Sequence, residues 1–77
     1  MNIEIYGRDS CPFCRRAKDL AATQDADYQY HDVEQDPAAQ KKREEFVVKY
    51  DHRTVPVVFI DGDFVGGYSE MAAKLKD

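Results

Sequence analysis

The chain has 77 residues, of which 43% are hydrophobic, and this size and composition predict one globular domain over residues 1–77. Its longest apolar run, residues 55–60, is far shorter than the roughly 20 residues that cross a bilayer, and its first residues lack the basic and apolar pattern of a secretory signal. The net charge of −4 disfavours nucleic acid as a partner, so we expect a cytoplasmic protein that binds neither nucleic acid nor membrane.

The first half of the chain predicts a strand, a helix, a second strand and a second helix. Residues 2–6 alternate in polarity as a strand does, and residues 12–22 read as a helix with proline in its first turn. Tyr28–Val33 is rich in aromatic residues, which favours a strand. Asp36-Pro37 supplies an N-cap and a first position for a helix that is expected to reach about Tyr50.

The second half predicts a hairpin followed by a short helix. Residues 57–60 form a dense apolar run, and a tight Asp-Gly-Asp turn leads from them into a return strand at 64–65. A last helix is expected over 70–76, capped by Ser69 or Tyr68. The order β-α-β-α-β-β-α predicts an α/β fold, a four-stranded mixed sheet flanked by three helices, with the 57–60 strand inside and the second strand at an edge.

Both cysteines lie where the first strand passes into the first helix. Cys14 shares 3–4 spacing with Ala17 and Ala21, which places it on the stripe facing the core, whereas Cys11 precedes the regular helix. A thiol at a helix N-terminus is stabilised as the thiolate. The pattern therefore predicts unequal thiols, with Cys11 exposed and Cys14 turned inward.

The segment around the cysteines is positively charged. Residues 8–18 hold four basic side chains and one acid, a local charge of +3 in an acidic chain. The basic residues are Arg8, Arg15, Arg16 and Lys18, and the acid is Asp9. Such a cluster favours a site that binds an anion or holds a thiolate, and a merely solvated helix face is the alternative.

Three blocks of the sequence resemble the dithiol glutaredoxins. They are residues 6–18 with Cys-Pro-Phe-Cys, Thr54-Val55-Pro56, and residues 66–70, and the resemblance covers essentially the whole chain. It implies a thioredoxin-like fold and a glutathione-dependent enzyme that reduces protein disulfides and glutathione mixed disulfides. Cys11 would be the nucleophile and Cys14 the thiol that resolves the mixed disulfide. Glutathione would be a co-substrate with no bound cofactor, the protein a monomer, and ribonucleotide reductase one protein substrate.

The resemblance also implies where glutathione binds. Arg8 matches a basic position near the glycyl carboxylate, and a cis Val55-Pro56 bond would place the Val55 backbone against the cysteinyl part. The γ-glutamyl carboxylate would meet the backbone of Ser69 and Glu70, and the Glu70 side chain its ammonium. The implied glutathione-binding residues are Arg8, Phe13, Thr54, Val55, Pro56, Gly67, Tyr68, Ser69 and Glu70.

The chain departs from the family pattern at three positions in or next to these blocks. Phe13 stands where many relatives have Tyr, so a hydroxyl contact is lost. Val57 stands where Gln is frequent, so a polar contact near the ligand is expected to be missing. Glu70 replaces an Asp, which changes the reach of the carboxylate.

Other readings of the two cysteines are weaker. A structural disulfide over two intervening residues would constrain the unfolded chain little. Zinc is disfavoured because Cys14 and His31 are separated by 16 residues, and His31 and His52 by 20. A shared iron–sulfur cluster is disfavoured because it usually accompanies Gly or Ser between the cysteines, which this chain lacks there. A thioredoxin-type protein is disfavoured because the pattern Trp-Cys-Gly-Pro-Cys is absent. A non-catalytic binding module has no feature in its favour, so no metal ligands are predicted.

Overall fold

A computed structural model describes residues 1–75, which form a four-stranded sheet and three helices. In chain order the elements are β1 (Asn2–Gly7), α1 (Pro12–Thr23), β2 (Asp27–Asp32), α2 (Pro37–Tyr50), β3 (Val57–Ile60), β4 (Asp63–Gly66) and α3 (Tyr68–Leu75). None of these helices is long and apolar enough to span a membrane.

The sheet is mixed, with strand order β2-β1-β3-β4. β1 runs parallel to β2 and antiparallel to β3, and β3 runs antiparallel to β4. The all-buried run of β3 lies inside the sheet and the more polar β2 lies at an edge, so both predicted positions are confirmed.

The alternation of side chains along β1 and β3 builds a core on each face of the sheet. One core joins the sheet to α1 and α3, and its buried members are Ile3, Ile5, Ala17, Ala21, Val58, Ile60 and Met71. The other joins the sheet to α2, and its buried members are Tyr6, Val33, Ala39, Val57 and Phe59. With both faces covered, the carboxyl end of β1 and the start of α1 are held in place from two sides.

Two of the helices begin as the sequence predicts. Pro12 is the first residue of α1 and Cys11 is its N-cap. Pro37 is the first residue of α2, and the Asp36 carboxylate caps it by accepting the Ala38 N–H at 3.0 Å. Proline suits these positions because the missing N–H has no partner in the first turn.

The start of α3 differs from the prediction. The helix begins at Tyr68 rather than Glu70, and Ser69 lies inside it, so neither Tyr68 nor Ser69 is the cap. Gly67 is the cap, because its carbonyl accepts the Met71 N–H at 3.0 Å. The Glu70 carboxylate accepts the Gly67 N–H at 2.7 Å, which is one half of a capping box.

β2 spans Asp27–Asp32, one residue earlier than predicted, because its parallel register pairs Asn2 with Asp27 and Gly7 with Asp32. The predicted end of α3 at Lys76 lies outside the described residues.

Candidate active site

The side chain of Cys11 sits at the N-cap of α1, just beyond the carboxyl end of β1. Its sulfur accepts the Cys14 N–H at 3.4 Å. As a thiol it also donates to the Val55 carbonyl oxygen at 3.8 Å. Cys11 is partly exposed and no disulfide joins it to Cys14, so its sulfur is accessible in the dithiol state.

The environment of Cys11 favours its thiolate. Partial desolvation acts to raise its pKa, but hydrogen bonds from the Cys14 thiol and from the backbone N–H groups of Cys14 and Phe13 outweigh that effect. The positive charge of Arg8 adds to them, and the pKa of Cys11 falls below the ordinary thiol value. This agrees with the stabilisation of anions at helix N-termini.

Cys14 has the opposite environment. Its side chain is 0% exposed, in the position that the helical spacing predicts. Burial raises the pKa of Cys14 to about 12, and the hydrogen bond it donates to Cys11 and the negative charge there act in the same direction. The two thiols are therefore unequal, since the environment favours the thiolate at Cys11 and the protonated thiol at Cys14.

Gly7 makes room for the buried thiol, a role that the sequence analysis missed. A β-carbon at position 7 would lie 2.7 Å from Cys14 Sγ and 3.0 Å from Cys14 Cβ. Atoms in the protein interior do not approach so closely without displacement. Glycine at the end of β1 thus permits α1 to bring Cys14 down onto the sheet. The steric need was not visible from sequence because it depends on how α1 docks.

A groove of about 370 Å³ lies beside Cys11. It is lined by Phe13, His52, Thr54, Val55, Pro56, Gly67, Tyr68, Ser69 and Glu70. The structure therefore brings together all of the implied glutathione-binding residues except Arg8, which does not line the groove. His52 is the lining residue that the sequence analysis did not select, since it lies in a loop without periodicity.

One wall of the groove is the loop before β3. The Val55-Pro56 bond is cis, as the family resemblance implies. The Val55 carbonyl faces Cys11, and the Pro56 carbonyl lies 3.2 Å from His52 Nε2. Pro56 precedes the first residue of β3, a position where proline removes no ladder hydrogen bond.

The opposite wall is the turn from β4 into α3. Gly66 has φ 126°, a conformation that favours glycine, and a β-carbon there would lie 2.7 Å from Glu70 Oε1. The Glu70 carboxylate is thereby folded back over the turn and holds the Gly67 N–H. The exposed Ser69 lies in the first turn of α3, where backbone N–H groups have no intrahelical acceptor.

Aromatic side chains close the end of the groove nearest α1. Phe13 is 51% exposed, and its ring centroid lies 6.0 Å from that of Tyr68. The Arg16 guanidinium lies over the Phe13 ring, 5.1 Å from the centroid of that ring. Val57 is fully buried in the core under α2 and does not line the groove. The loss of a polar ligand contact at this position stays a prediction.

The basic residues of the segment around the cysteines lie at the surface. Arg8, Arg15, Arg16 and Lys18 are all exposed. Among residues 1–75, no three His, Cys, Asp or Glu side chains come together as metal ligands would. The chemistry available at the site is therefore that of the two thiols, a groove lined by both apolar and polar groups, and a basic segment of the chain.

Comparisons with known proteins place this site in context. The glutaredoxin family model matches residues 3–65. Glutaredoxin 3 of Escherichia coli is 36% identical, over 94% of this chain and 83% of the relative. Glutaredoxin 1 of the same organism is 37% identical, over 100% of this chain and 95% of the relative.

Solved structures agree with the sequence comparisons. A buckwheat glutaredoxin in complex with glutathione superposes with a TM-score of 0.86 at 28% identity, covering 97% of this chain and 68% of that one. The reduced Escherichia coli glutaredoxin superposes with a TM-score of 0.76 at 36% identity, covering 99% of this chain and 94% of that one. The thioredoxin-like arrangement of sheet and helices is thus shared along with the sequence.

Proposed function

The chain belongs to the glutaredoxin family and is a thiol–disulfide oxidoreductase, and we propose that glutathione is its reductant. In this proposal it reduces protein disulfides and glutathione mixed disulfides through the Cys11 and Cys14 dithiol. The observation that carries the proposal is the position of Cys11. Its low-pKa sulfur lies 3.8 Å from the carbonyl oxygen of Val55, a residue that lines the groove.

The first step is attack by the Cys11 thiolate on a disulfide of the substrate. A bond forms between Cys11 Sγ and one substrate sulfur, and the substrate disulfide breaks. The other substrate sulfur leaves with the electron pair and takes up a proton. A depressed pKa raises the fraction of Cys11 that is in the attacking thiolate form at neutral pH, although it also lowers the intrinsic nucleophilicity of the sulfur.

The second step is resolution by Cys14 when the substrate is a protein. Cys14 loses its proton and attacks Cys11 Sγ, so that a Cys11–Cys14 disulfide forms and the substrate thiol is released. Once Cys11 is in a mixed disulfide it carries no negative charge. The negative charge of Cys11, which raises the pKa of Cys14, is then removed, so Cys14 loses its proton more easily. Two molecules of glutathione return the pair to the dithiol.

The groove supports glutathione as the reductant because its polar groups match the parts of that peptide. The backbone of Val55, which lines the groove, offers hydrogen bonds to an extended cysteinyl residue, as in strand addition. The first turn of α3, with Ser69 and Glu70, offers free N–H groups to the γ-glutamyl carboxylate. Arg8 supplies a positive charge near Cys11 for the glycyl end. The glutathione complex of the buckwheat relative is consistent with this assignment.

We also propose a cellular location, an oligomeric state and a protein substrate. A cytoplasmic location is proposed from the sequence, in which a Cys-x-x-Cys pair of a reducing compartment serves redox chemistry rather than a structural disulfide. A monomer is sufficient because one chain supplies both thiols and the groove. Ribonucleotide reductase is proposed as a protein substrate on family resemblance alone.

The test is a coupled assay with glutathione, glutathione reductase and NADPH, run on the wild type and on Cys11→Ser and Cys14→Ser. We expect Cys11→Ser to abolish reduction of every substrate. Cys14→Ser is expected to lose protein-disulfide reduction and to retain deglutathionylation through Cys11 alone. A parallel assay with thioredoxin reductase should show little turnover. Activity of Cys11→Ser, or preference for thioredoxin reductase over glutathione, would contradict the proposal.

A further inference from the structure

The hydroxyl of Tyr30 is buried without a hydrogen-bond partner among residues 1–75. Tyr30 lies on β2 opposite Ile5, and its ring packs against the core that joins the sheet to α1 and α3. Buried hydroxyl groups in native proteins nearly always have a partner, because an unpaired one loses its hydration without compensation. A hydroxyl left unpaired beside a reactive site is therefore a candidate for a function.

The hydroxyl borders the same small space as the buried thiol. A β-carbon built on Gly7 would lie 2.7 Å from Cys14 Sγ and 3.2 Å from Tyr30 Oη, so both atoms border the space that a side chain at position 7 would fill. The Lys18 ammonium sits over the Tyr30 ring at 4.6 Å from its centroid. The other charged or titratable groups that act on Tyr30 are Cys14, Asp9, Asp32 and Cys11.

We propose that Tyr30 is a positioning residue for the second step, and that its hydroxyl donates a hydrogen bond to the Cys14 sulfur as that sulfur becomes charged and attacks. In the dithiol state the two groups are not hydrogen-bonded. Donors of this kind often align only when the charge develops. Because charge appears on Cys14 only during resolution, the contact favours the transition state over the resting dithiol.

The proton balance of the step follows from the state of each group. Burial raises the pKa of Tyr30, so the hydroxyl remains protonated and acts as a donor rather than a base. The Cys14 thiol gives up one proton, which balances the proton that the leaving substrate sulfur takes up. The bond between Cys11 and the substrate sulfur breaks as the Cys11–Cys14 bond forms, and the substrate sulfur takes up a proton on leaving. Tyr30 ends the step unchanged.

This inference rests on the proposed dithiol mechanism. A reaction with two observable phases tests the role of Tyr30 separately from that mechanism. Reduced protein is mixed with 5,5′-dithiobis(2-nitrobenzoate) in a stopped-flow spectrometer below neutral pH. Attack by Cys11 releases one coloured thiolate, and resolution by Cys14 releases the second. We expect Tyr30→Phe to leave the first phase unchanged and to slow the second about tenfold, the effect of losing one hydrogen bond to a charged group.

The control is Tyr28→Phe, which removes a hydroxyl from the same strand at a half-exposed position and should leave both rates unchanged. Tyr30→Phe keeps the ring and removes only the unpaired hydroxyl, so the melting temperature is expected to stay the same or rise. A slower second phase in a protein of undiminished stability supports a role in the reaction.

Three results would overturn the inference. An unchanged second phase in Tyr30→Phe, beside a normal two-phase wild type, removes the role of Tyr30 and leaves the proposed function intact. Equal slowing of both phases, or a fall in melting temperature, assigns the hydroxyl to structure. A wild type that releases only one thiolate contradicts the dithiol mechanism itself, and the inference with it.

Discussion

Replacing Gly7 with alanine tests how closely α1 must approach β1 to place the thiols. The new carbon would lie 2.7 Å from Cys14 Sγ, 3.0 Å from Cys14 Cβ and 3.2 Å from Tyr30 Oη. Contacts between such atoms are favourable near ~3.5–4.0 Å, so the helix must move away by roughly 1 Å. Overpacking of this kind costs about 1–3 kcal/mol. In a domain of this size each kcal/mol lowers the melting temperature by about 4–8 °C.

The measurement is thermal unfolding of the reduced protein, followed by circular dichroism. The matched control is the same substitution in a Cys14→Ala background, where the closest contact, that with Sγ, is gone. We expect the cost of Gly7→Ala to be clearly smaller there, a coupling that a double-mutant cycle isolates. Equal stability of Gly7→Ala and wild type, or an identical loss in both backgrounds, would refute the steric reasoning.

Three further predictions concern Arg8, the Asp36 cap of α2 and the pH dependence of stability. Arg8→Gln should raise the pKa of Cys11 and slow its alkylation at neutral pH, with rates converging on those of the wild type at high pH. Asp36→Ala should cost about 1 kcal/mol of stability through loss of the α2 cap, measured by urea unfolding, and leave thiol reactivity unchanged. Because the folded-state pKa of Cys11 is depressed, the unfolded chain binds more protons between the folded pKa and the ordinary thiol value of about 8.5. The stability of the wild type relative to Cys11→Ser should therefore rise with pH across that window and be lost as pH falls through the folded pKa.

Local signals in the sequence were sufficient for most of the architecture. Asp36-Pro37 marked the start of α2, because a side-chain cap and a fixed φ act within a few residues. The 3–4 spacing of Cys14 and its neighbours placed that thiol inside, as the structure has it. The fully apolar β3 and the more polar β2 took the interior and edge positions expected of them.

What the sequence did not reveal depends on contacts between distant parts of the chain. Ser69 is a good cap by composition, but Glu70 already holds the Gly67 N–H, so the helix begins earlier. His52 enters the groove through a loop, where no periodicity exists to indicate a direction. Val57 is adjacent in sequence to groove residues yet points to the opposite core, since strand residues alternate between faces.

The candidate site was assembled from three separated segments only through family resemblance. Helical spacing alone distinguished Cys11 from Cys14, but it could not bring Val55 to Cys11 across 44 positions of the chain. The cis Val55-Pro56 bond likewise came from resemblance, because X-Pro bonds are trans in the large majority of cases.

The measurement that tests the central claim most directly is the pH dependence of alkylation at each cysteine. Reduced protein is treated with iodoacetamide over a range of pH, and the modified peptides are quantified by mass spectrometry. We predict that Cys11 reaches half its maximal rate below the ordinary thiol pKa of about 8.5, whereas Cys14 stays unmodified through neutral pH. A Cys11 that titrates at or above about 8.5, or a Cys14 that reacts first, would contradict the assignment of Cys11 as the nucleophile.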